Sequence, residues 1–315
     1  MIVVGGEALV DLVDDHGARR AVAGGGPFNT AVALGRLDVP VAFAGAISRD
    51  GYGQILTQLL VDAGVDTALV HRSELPTPEA TVRRDGDGRN SYAFSLGETA
   101  FIDVSSDQLS MLPETAWGIH VGTLSLAIDP PASAYEALLE REAGRRRIIL
   151  DPNVRPEIFG ETEEYRRRFE RLARLADIVK LSEDDAAWIY PDVPLAEVPE
   201  LILGFGPRLV ALTCGASGAV ARSWSGAVEV PAMPVKVVDT VGAGDSFGAA
   251  LVAALIDERA LGPSAERELE PDVLRRAVTY AVAASAVTCT RTGAIPPTRS
   301  EVDAQIRALA AVDRV

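Results

Sequence analysis

Residues 148–182, IILDPNVRPEIFGETEEYRRRFERLARLADIVKLS, open on an apolar run that stops at Asp-Pro-Asn and close on another that stops at Lys-Leu-Ser, with a charged helical stretch between them. Runs this uniformly apolar suit strands covered on both faces, and a strand, a helix and a strand in succession make a parallel crossover. The same unit recurs along the chain: IVVGG at the start, VAFAGAI from 41, GIHVG from 118 and LVALTCG from 209. The fold class read from this is α/β, a doubly wound, mostly parallel sheet with helices on both faces. Ligands of such sheets collect beyond the carboxyl ends of the strands. Here those ends carry Gly122 and Thr123, Asp151 and Asn153, Lys180 and Ser182, Thr213 and Gly215.

Composition narrows the function. With 315 residues and 48% hydrophobic content the chain can build one large domain or two ordinary ones. A formal net charge of -15 repels nucleic acid and anionic membrane surfaces, so neither is expected as a partner. A small anionic ligand then needs a local positive site, made by backbone dipoles or a few basic side chains. The two cysteines, Cys214 and Cys289, form no CxxC or Cys/His cluster, which fits a reducing cytoplasm. The start, MIVVGGEALVDLVDD, lacks a basic segment before its apolar run, and stretches such as AVTYAVAASAVTCT fall short of the ~18 residues a membrane span needs.

Two segments break the pattern. EALVDLVDDHGARRAVAG and ATVRRDGDGRNSYAFSL read as alternating strands joined by Asp/Gly turns, hairpins at about 10–23 and 79–103. They are expected to form a small antiparallel β lid. Tyr92 and Phe94 share one face of the second hairpin, where they either cover a substrate's apolar side or pack within the lid. Arg83, Arg84 and Arg89 flank its turn and are read as solvated.

Residues 237–247, VVDTVGAGDSF, supply the chemistry. The pattern that follows puts Phe247, Ala250, Leu251, Ala254 and Leu255 at helical spacing, so an amphipathic helix begins at about Ala243. Free N–H groups of Gly242, Ala243 and Gly244 at the positive end of its dipole make an anion hole. Asp245, in the first turn, is placed to hold a hydroxyl and accept its proton as the oxygen attacks phosphorus. The helix terminus is expected to favour its ionised form, which makes it a weak base.

Together with GGGPFNTAVALGRLDVPVAFAGAISRDGYG, residues 24–53, this motif resembles the paired signatures of the ribokinase, or PfkB, family of carbohydrate kinases. The resemblance covers nearly the whole chain and implies a single ribokinase-like α/β domain over 1–315. It implies that Gly24, Gly25 and Asn29 contact the sugar, that Asp11 on the lid hydrogen-bonds sugar hydroxyls, and that Asp245 is the catalytic base. TCGASG, 213–218, is similar to the family's nucleotide loop, so Thr213, Gly215 and Gly218 lie along ATP, with Lys180 and Ser182 on the same side. KLSEDD departs from the usual Asn then Glu; Ser182 and Asp185 stand in those places, and Asp185 is the candidate for Mg²⁺, through water. TRTGAIPP, 290–297, resembles the segment that closes over adenine.

GEALVDLV, DPNVRP and VKLSEDDAAWIY look most like bacterial fructokinases, which implies ATP-dependent phosphorylation of fructose at its primary hydroxyl. DPNVRP also resembles 2-keto-3-deoxygluconate kinases, where Arg155 would meet a substrate carboxylate. The resemblance further implies a homodimer through the lid, and in some relatives a monovalent ion, K⁺, near Asp239. A dinucleotide-binding oxidoreductase is the reading from another class; it needs a G-x-G-x-x-G turn after the first strand, where VVGGEALVDLV continues as a strand.

Overall fold

The protein was analysed as a computed structural model that describes the backbone of residues 1–15, 18–84, 90–159 and 162–312, and their side chains except at 13–15, 18–19, 82–84, 90–92, 162 and 310–312. The strands are β1 Ile2–Gly5, β2 Leu9–Asp15, β3 Ala18–Gly24, β4 Val41–Ser48, β5 Val70–Ser73, β6 Glu79–Arg84, β7 Asn90–Ser95, β8 Gly118–Gly122, β9 Arg147–Asp151, β10 Ile178–Ser182, β11 Leu209–Thr213, β12 Ala219–Ser223 and β13 Gly226–Val230. The helices are α1 Gly26–Arg36, α2 Gly51–Asp62, α3 Pro131–Glu142, α4 Thr162–Ala173, α5 Glu183–Ile189, α6 Val198–Leu203, α7 Ala243–Asp257, α8 Pro271–Cys289 and α9 Arg299–Val312.

Nine strands form the main sheet in the order β13-β12-β11-β10-β9-β8-β1-β4-β5. From β5 to β11 every pairing is parallel, and β12 and β13 close that edge antiparallel. The strand order reverses between β1 and β8, so the crevice beyond Gly5 and Gly122 is where a ligand is expected. Alternation along the strands sorts two cores. Ile2, Val4, Phe43, Ile149, Ile178 and Leu209 face one side with Phe28 of α1, Leu251 of α7 and Val278 of α8. Val3, Ile119, Ile148, Leu150, Val179 and Leu212 face the other with Tyr135 of α3 and Phe169 of α4.

The lid is two antiparallel hairpins, β2–β3 and β6–β7, joined through a parallel pairing of β2 with β6. Both of those strands run the same way, which is why the inner pair is parallel. The second hairpin ends at Ser95; beyond it Ala100–Ile102 forms a short 3₁₀ turn in the lid's root, where Leu9, Ala80, Leu96, Phe101 and Leu124 pack.

Helix α7 departs from the amphipathic expectation. Asp245 to Leu255 are buried without interruption, because α7 packs against α8 and α1 while its Gly244 and Gly248 face the sheet at Lys180 and Asp151. A helix apolar all round is an interior helix, and its first turn is therefore fixed by packing.

Candidate active site

At the carboxyl edge of the sheet, α1 and α7 point their amino termini at one another. Each begins after a glycine of positive φ with no side-chain cap: Gly25 at 102° and Gly242 at 75°. Across the gap Asn29 Nδ2 donates to Asp245 Oδ2 at 2.9 Å, joining residues 216 positions apart. Asn153 Nδ2 approaches the other oxygen, Oδ1, at 3.5 Å, and Thr123 Oγ1 at 3.3 Å. Thr123 and Asn153 both adopt positive φ, 57° and 39°. For a β-branched residue that is strain, and such strain gathers at functional sites. Gly26 makes room for this group: a Cβ there would overlap Thr123 Oγ1 and come within 2.9 Å of Asn153 Nδ2.

The first turn of α7 partly revises the expected anion hole. The Ala243 N–H donates to Thr240 O at 3.2 Å, closing a tight turn. Among the described residues nothing accepts from the amides of Gly242, Gly244 and Asp245 itself. Three open donors remain, with the Asp245 N–H in place of the Ala243 N–H that the sequence expectation included.

Asp245 is 7% exposed, and burial pushes its carboxyl pKa up, against the Asn29 hydrogen bond and the charges of Lys180 and Arg155. This reverses the expectation of a weakened base: desolvation outweighs what favours the ionised form. The lid brings a second carboxylate. Asp11 packs over Gly24, where a Cβ would lie 2.5 Å from its Oδ2. Burial raises it to about 6, with the Arg155 charge opposing and the Asp245 charge reinforcing.

Arg155 serves the site from behind. Its Nη1 donates to Asn153 Oδ1 at 2.8 Å and to the Asn153 and Val154 carbonyls at 3.0 Å, which turns the Asn153 amide nitrogen toward Asp245. Its Nε–Nη2 edge has no acceptor among the described residues.

The nucleotide-side residues divide. Thr213 ends β11 half-buried, Gly215 is exposed, and Gly218 is buried against Val230 and Pro231. A side chain at Gly215 would approach Glu183. Ser182 caps α5: its Oγ accepts from the Asp185 N–H at 3.1 Å while Asp185 Oδ2 accepts from the Ser182 N–H at 2.8 Å. Asp185 Oδ1 accepts from Val154 N–H at 2.6 Å. Both of its oxygens are thus engaged by backbone, and it is 5% exposed. Lys180 likewise lies inside the protein, 4% exposed, with Nζ donating to Asp151 Oδ2 and Oδ1 at 3.0 and 3.2 Å. It does not line the cleft as the sequence reading has it. On the adenine-side segment, the Gly293 N–H donates to Asp239 Oδ2 at 2.8 Å and Val241 N–H to Oδ1 at 3.1 Å, tying 290–297 to the turn before α7.

Phe94 is half-buried on the lid-root cluster. The side chains of Tyr92, Arg83, Arg84 and Arg89 lie outside the described residues. Sequence reasoning missed Glu7, which is 3% exposed at the switch point. Its Oε2 accepts from Ser125 Oγ at 2.6 Å and from the Ser125 N–H at 3.2 Å, holding the turn that presents Thr123. Burial raises Glu7 to about 7. The available signal was a lone acidic residue directly after the first apolar strand.

Among the described residues no three His, Cys, Asp or Glu side chains gather as a metal cage, and no helix is long and apolar enough to cross a membrane. The chain also runs from β1 into β2, where the oxidoreductase reading required a glycine turn and a helix.

Comparison with known proteins agrees with this geometry. Residues 2–301 match the model of the pfkB family carbohydrate kinases. A fructokinase of Rhizobium leguminosarum bv. trifolii is 36% identical over 280 residues, 87% of this chain and 86% of that protein. A fructokinase of Vibrio alginolyticus is 30% identical over 304 residues, 95% and 96%. Among solved structures, the fructokinase of Vibrio cholerae O395 with fructose, ADP and calcium bound superposes with a TM-score of 0.84 at 28% identity, covering 96% of this chain and 97% of that one. With its two glycine-opened helices meeting at a buried aspartate, this chain belongs to the pfkB family of carbohydrate kinases.

Proposed function

We propose that this protein transfers the γ-phosphoryl group of ATP to the primary hydroxyl of fructose, giving fructose 6-phosphate and ADP. The observation that supports it most is the convergence on Asp245: a buried carboxylate held by Asn29, beside three open amides of α7 and beneath Asp11 of the lid. Family membership and fructokinase relatives at 30–36% identity support the substrate.

Asp11, Asn29 and the backbone at Gly24 and Gly25 hold the sugar so that its hydroxyl points at Asp245. The carboxylate accepts that proton as the hydroxyl oxygen bonds to the γ-phosphorus and the bond from phosphorus to the β-phosphate bridging oxygen breaks. The amides of Gly242, Gly244 and Asp245 donate to the phosphoryl oxygens as charge develops. An aspartate whose pKa is raised by burial is, when ionised, a better base than an exposed one. Lid closure excludes water, the competing acceptor.

Mg²⁺ would be held chiefly by the nucleotide's phosphates, since the described residues form no cage; Asp185 is occupied by backbone donors, and Glu183, beside Gly215, is the carboxylate that would face its water shell. When bound it neutralises phosphate charge. We extend the reading to K⁺ beside Asp239; activity in potassium against choline chloride tests it. Pairing of two copies through the lid edges β3 and β7 belongs to the same reading, and light scattering separates a 33.2 kDa monomer from its dimer. The open Nε–Nη2 edge of Arg155 favours one second substrate, 2-keto-3-deoxygluconate, whose carboxylate it would meet.

The test is fructose-dependent ADP formation by wild type and Asp245→Asn, with 2-keto-3-deoxygluconate, ribose, adenosine and fructose 6-phosphate in parallel. Loss of about 10³-fold in kcat with ATP binding retained is expected. Equal rates would remove Asp245 as the base.

A further inference from the structure

Two glycines on one face of α7, Gly244 and Gly248, lie against a buried ion pair. A Cβ at 244 would come within 3.0 Å of Lys180 Nζ, and one at 248 within 3.9 Å of Asp151 Oδ2. Both charged side chains are nearly inaccessible, 4% and 3% exposed. The alternation of β9 and β10 puts Ile149, Asp151, Ile178 and Lys180 on the face that α7 covers, so the pair stands directly behind the turn that offers its amides to the cleft. Lys180 has three donors and only Asp151 accepts from it among the described residues.

We propose that Lys180 is a fixed positive charge behind the phosphate cradle, and that Asp151 is the positioning residue that keeps it there. This rests on the reading of the α7 turn given above. Burying an ion pair costs desolvation energy, and an apolar pair of similar volume often serves stability as well. Its placement against the helix that binds phosphoryl oxygens gives the pair a use that packing does not. In a low-dielectric interior a charge held a few ångströms from a developing anion acts with little screening. Gly244 leaves room for the approach, since a Cβ there would press on the ammonium and push it back by a few tenths of an ångström.

The groups around Lys180 are Asp151, Asp185 and Asp245, which favour its charged form against burial, and His120; burial raises Asp151 itself to about 7, with the Lys180 charge opposing. Burial, and next the Lys180 charge, push His120 down to about 3, so the imidazole stays neutral. With Asp151 neutralised the lysine loses its nearest counter-charge, and burial then favours the uncharged amine.

Three variants test the proposal: Asp151→Asn, Lys180→Met, and the two combined. The combined variant is expected to melt within a few degrees of wild type yet remain about 10²-fold lower in kcat, with the KM for fructose unchanged. Asp151→Asn is expected to lose activity as pH rises through neutrality, a limb absent from Lys180→Met. A combined variant within twofold of wild-type kcat, or an Asp151→Asn profile that coincides with wild type, overturns the proposal. Calorimetric titration with ATP separates this from failure of the kinase reading. If wild type phosphorylates no sugar but binds ATP, weaker ATP binding by Lys180→Met by tenfold or more still supports the charge, and unchanged binding refutes it.

Discussion

Helices α1 and α7 face each other across Asp245, and both open after an uncapped glycine, yet they bring opposite kinds of chemistry to the cleft. The α1 turn is neutral: Asn29 reaches the carboxylate, and Thr123 and Asn153 crowd Gly26. The α7 turn holds the charge, with Asp245 in its first turn and Lys180 behind it. In a chain of net charge -15 a triphosphate needs a local positive site, which the proposed function assigns to the open amides of the α7 turn and to Lys180.

If the two openings are equivalent turns, alanine at either glycine should cost the same. The structure predicts otherwise. Gly25 sits at φ 102°, ψ 122°, and a Cβ would lie 2.7 Å from the Glu7 carbonyl, a backbone atom that cannot move aside. Strained backbone and overpacking together put the loss for Gly25→Ala at about 4 kcal/mol. Gly242 sits in the ordinary left-handed region, and its Cβ would meet Ala294, the methyl at 2.6 Å and the Cα at 2.9 Å, in the half-buried segment between α8 and α9. About 2 kcal/mol is expected for Gly242→Ala. Urea unfolding of both variants measures the difference, and equal midpoints would erase the asymmetry.

Asn29→Ala tests the link between the helices, with an effect between those two. A hydrogen bond to a buried carboxylate is lost, about 2–3 kcal/mol, so kcat/KM should fall about 10²-fold. The pH profile sharpens this. Burial raises the Asp245 pKa and the Asn29 bond lowers it. Without that bond the pKa rises further, and since the ionised form accepts the proton, the acidic limb of kcat/KM should move to higher pH. A lower rate with an unmoved limb would assign Asn29 to sugar contact alone.

Much of this was legible in sequence. The strands, the switch point and the polar residues at strand ends follow from apolar runs and a topological rule, and the glycine turn before a carboxylate marks α7. What was not legible depends on desolvation and on which way a side chain turns. Asp185 and Lys180 were placed at the nucleotide side by motif position, but Asp185 caps its own helix and Lys180 faces α7. For Lys180 the signal was present: it shares the parity of Ile178, and hence the face covered by α7. The Asp245 shift could not be read, because burial of α7 comes from α1, α8 and the sheet, elements far from it in the chain or following it. The Asn29–Asp245 bond required the whole intervening fold.

The smallest effect concerns the lid, where Asp11 joins the α1 side of the comparison with a charge of its own. Its folded-state pKa is raised from 3.8 to about 6, so the folded protein binds a proton more readily than the unfolded chain. The sign follows: the ionised carboxylate destabilises the free enzyme above about pH 6, the penalty shrinks as pH falls, and it is gone below about pH 4. A shift of this size corresponds to about 3 kcal/mol at full value, and partial exposure reduces it to about 1–2 kcal/mol. Asp11→Asn should therefore raise the melting temperature at pH 7.5 and leave it unchanged at pH 4, while weakening fructose binding at both. The stability would be gained because the carboxylate is held, with no hydrogen-bond partner among the described residues, where a sugar hydroxyl would satisfy it. A variant stabilised equally at both pH values would mean that Asp11 carries no such strain, and that the lid is as neutral as the α1 turn beneath it.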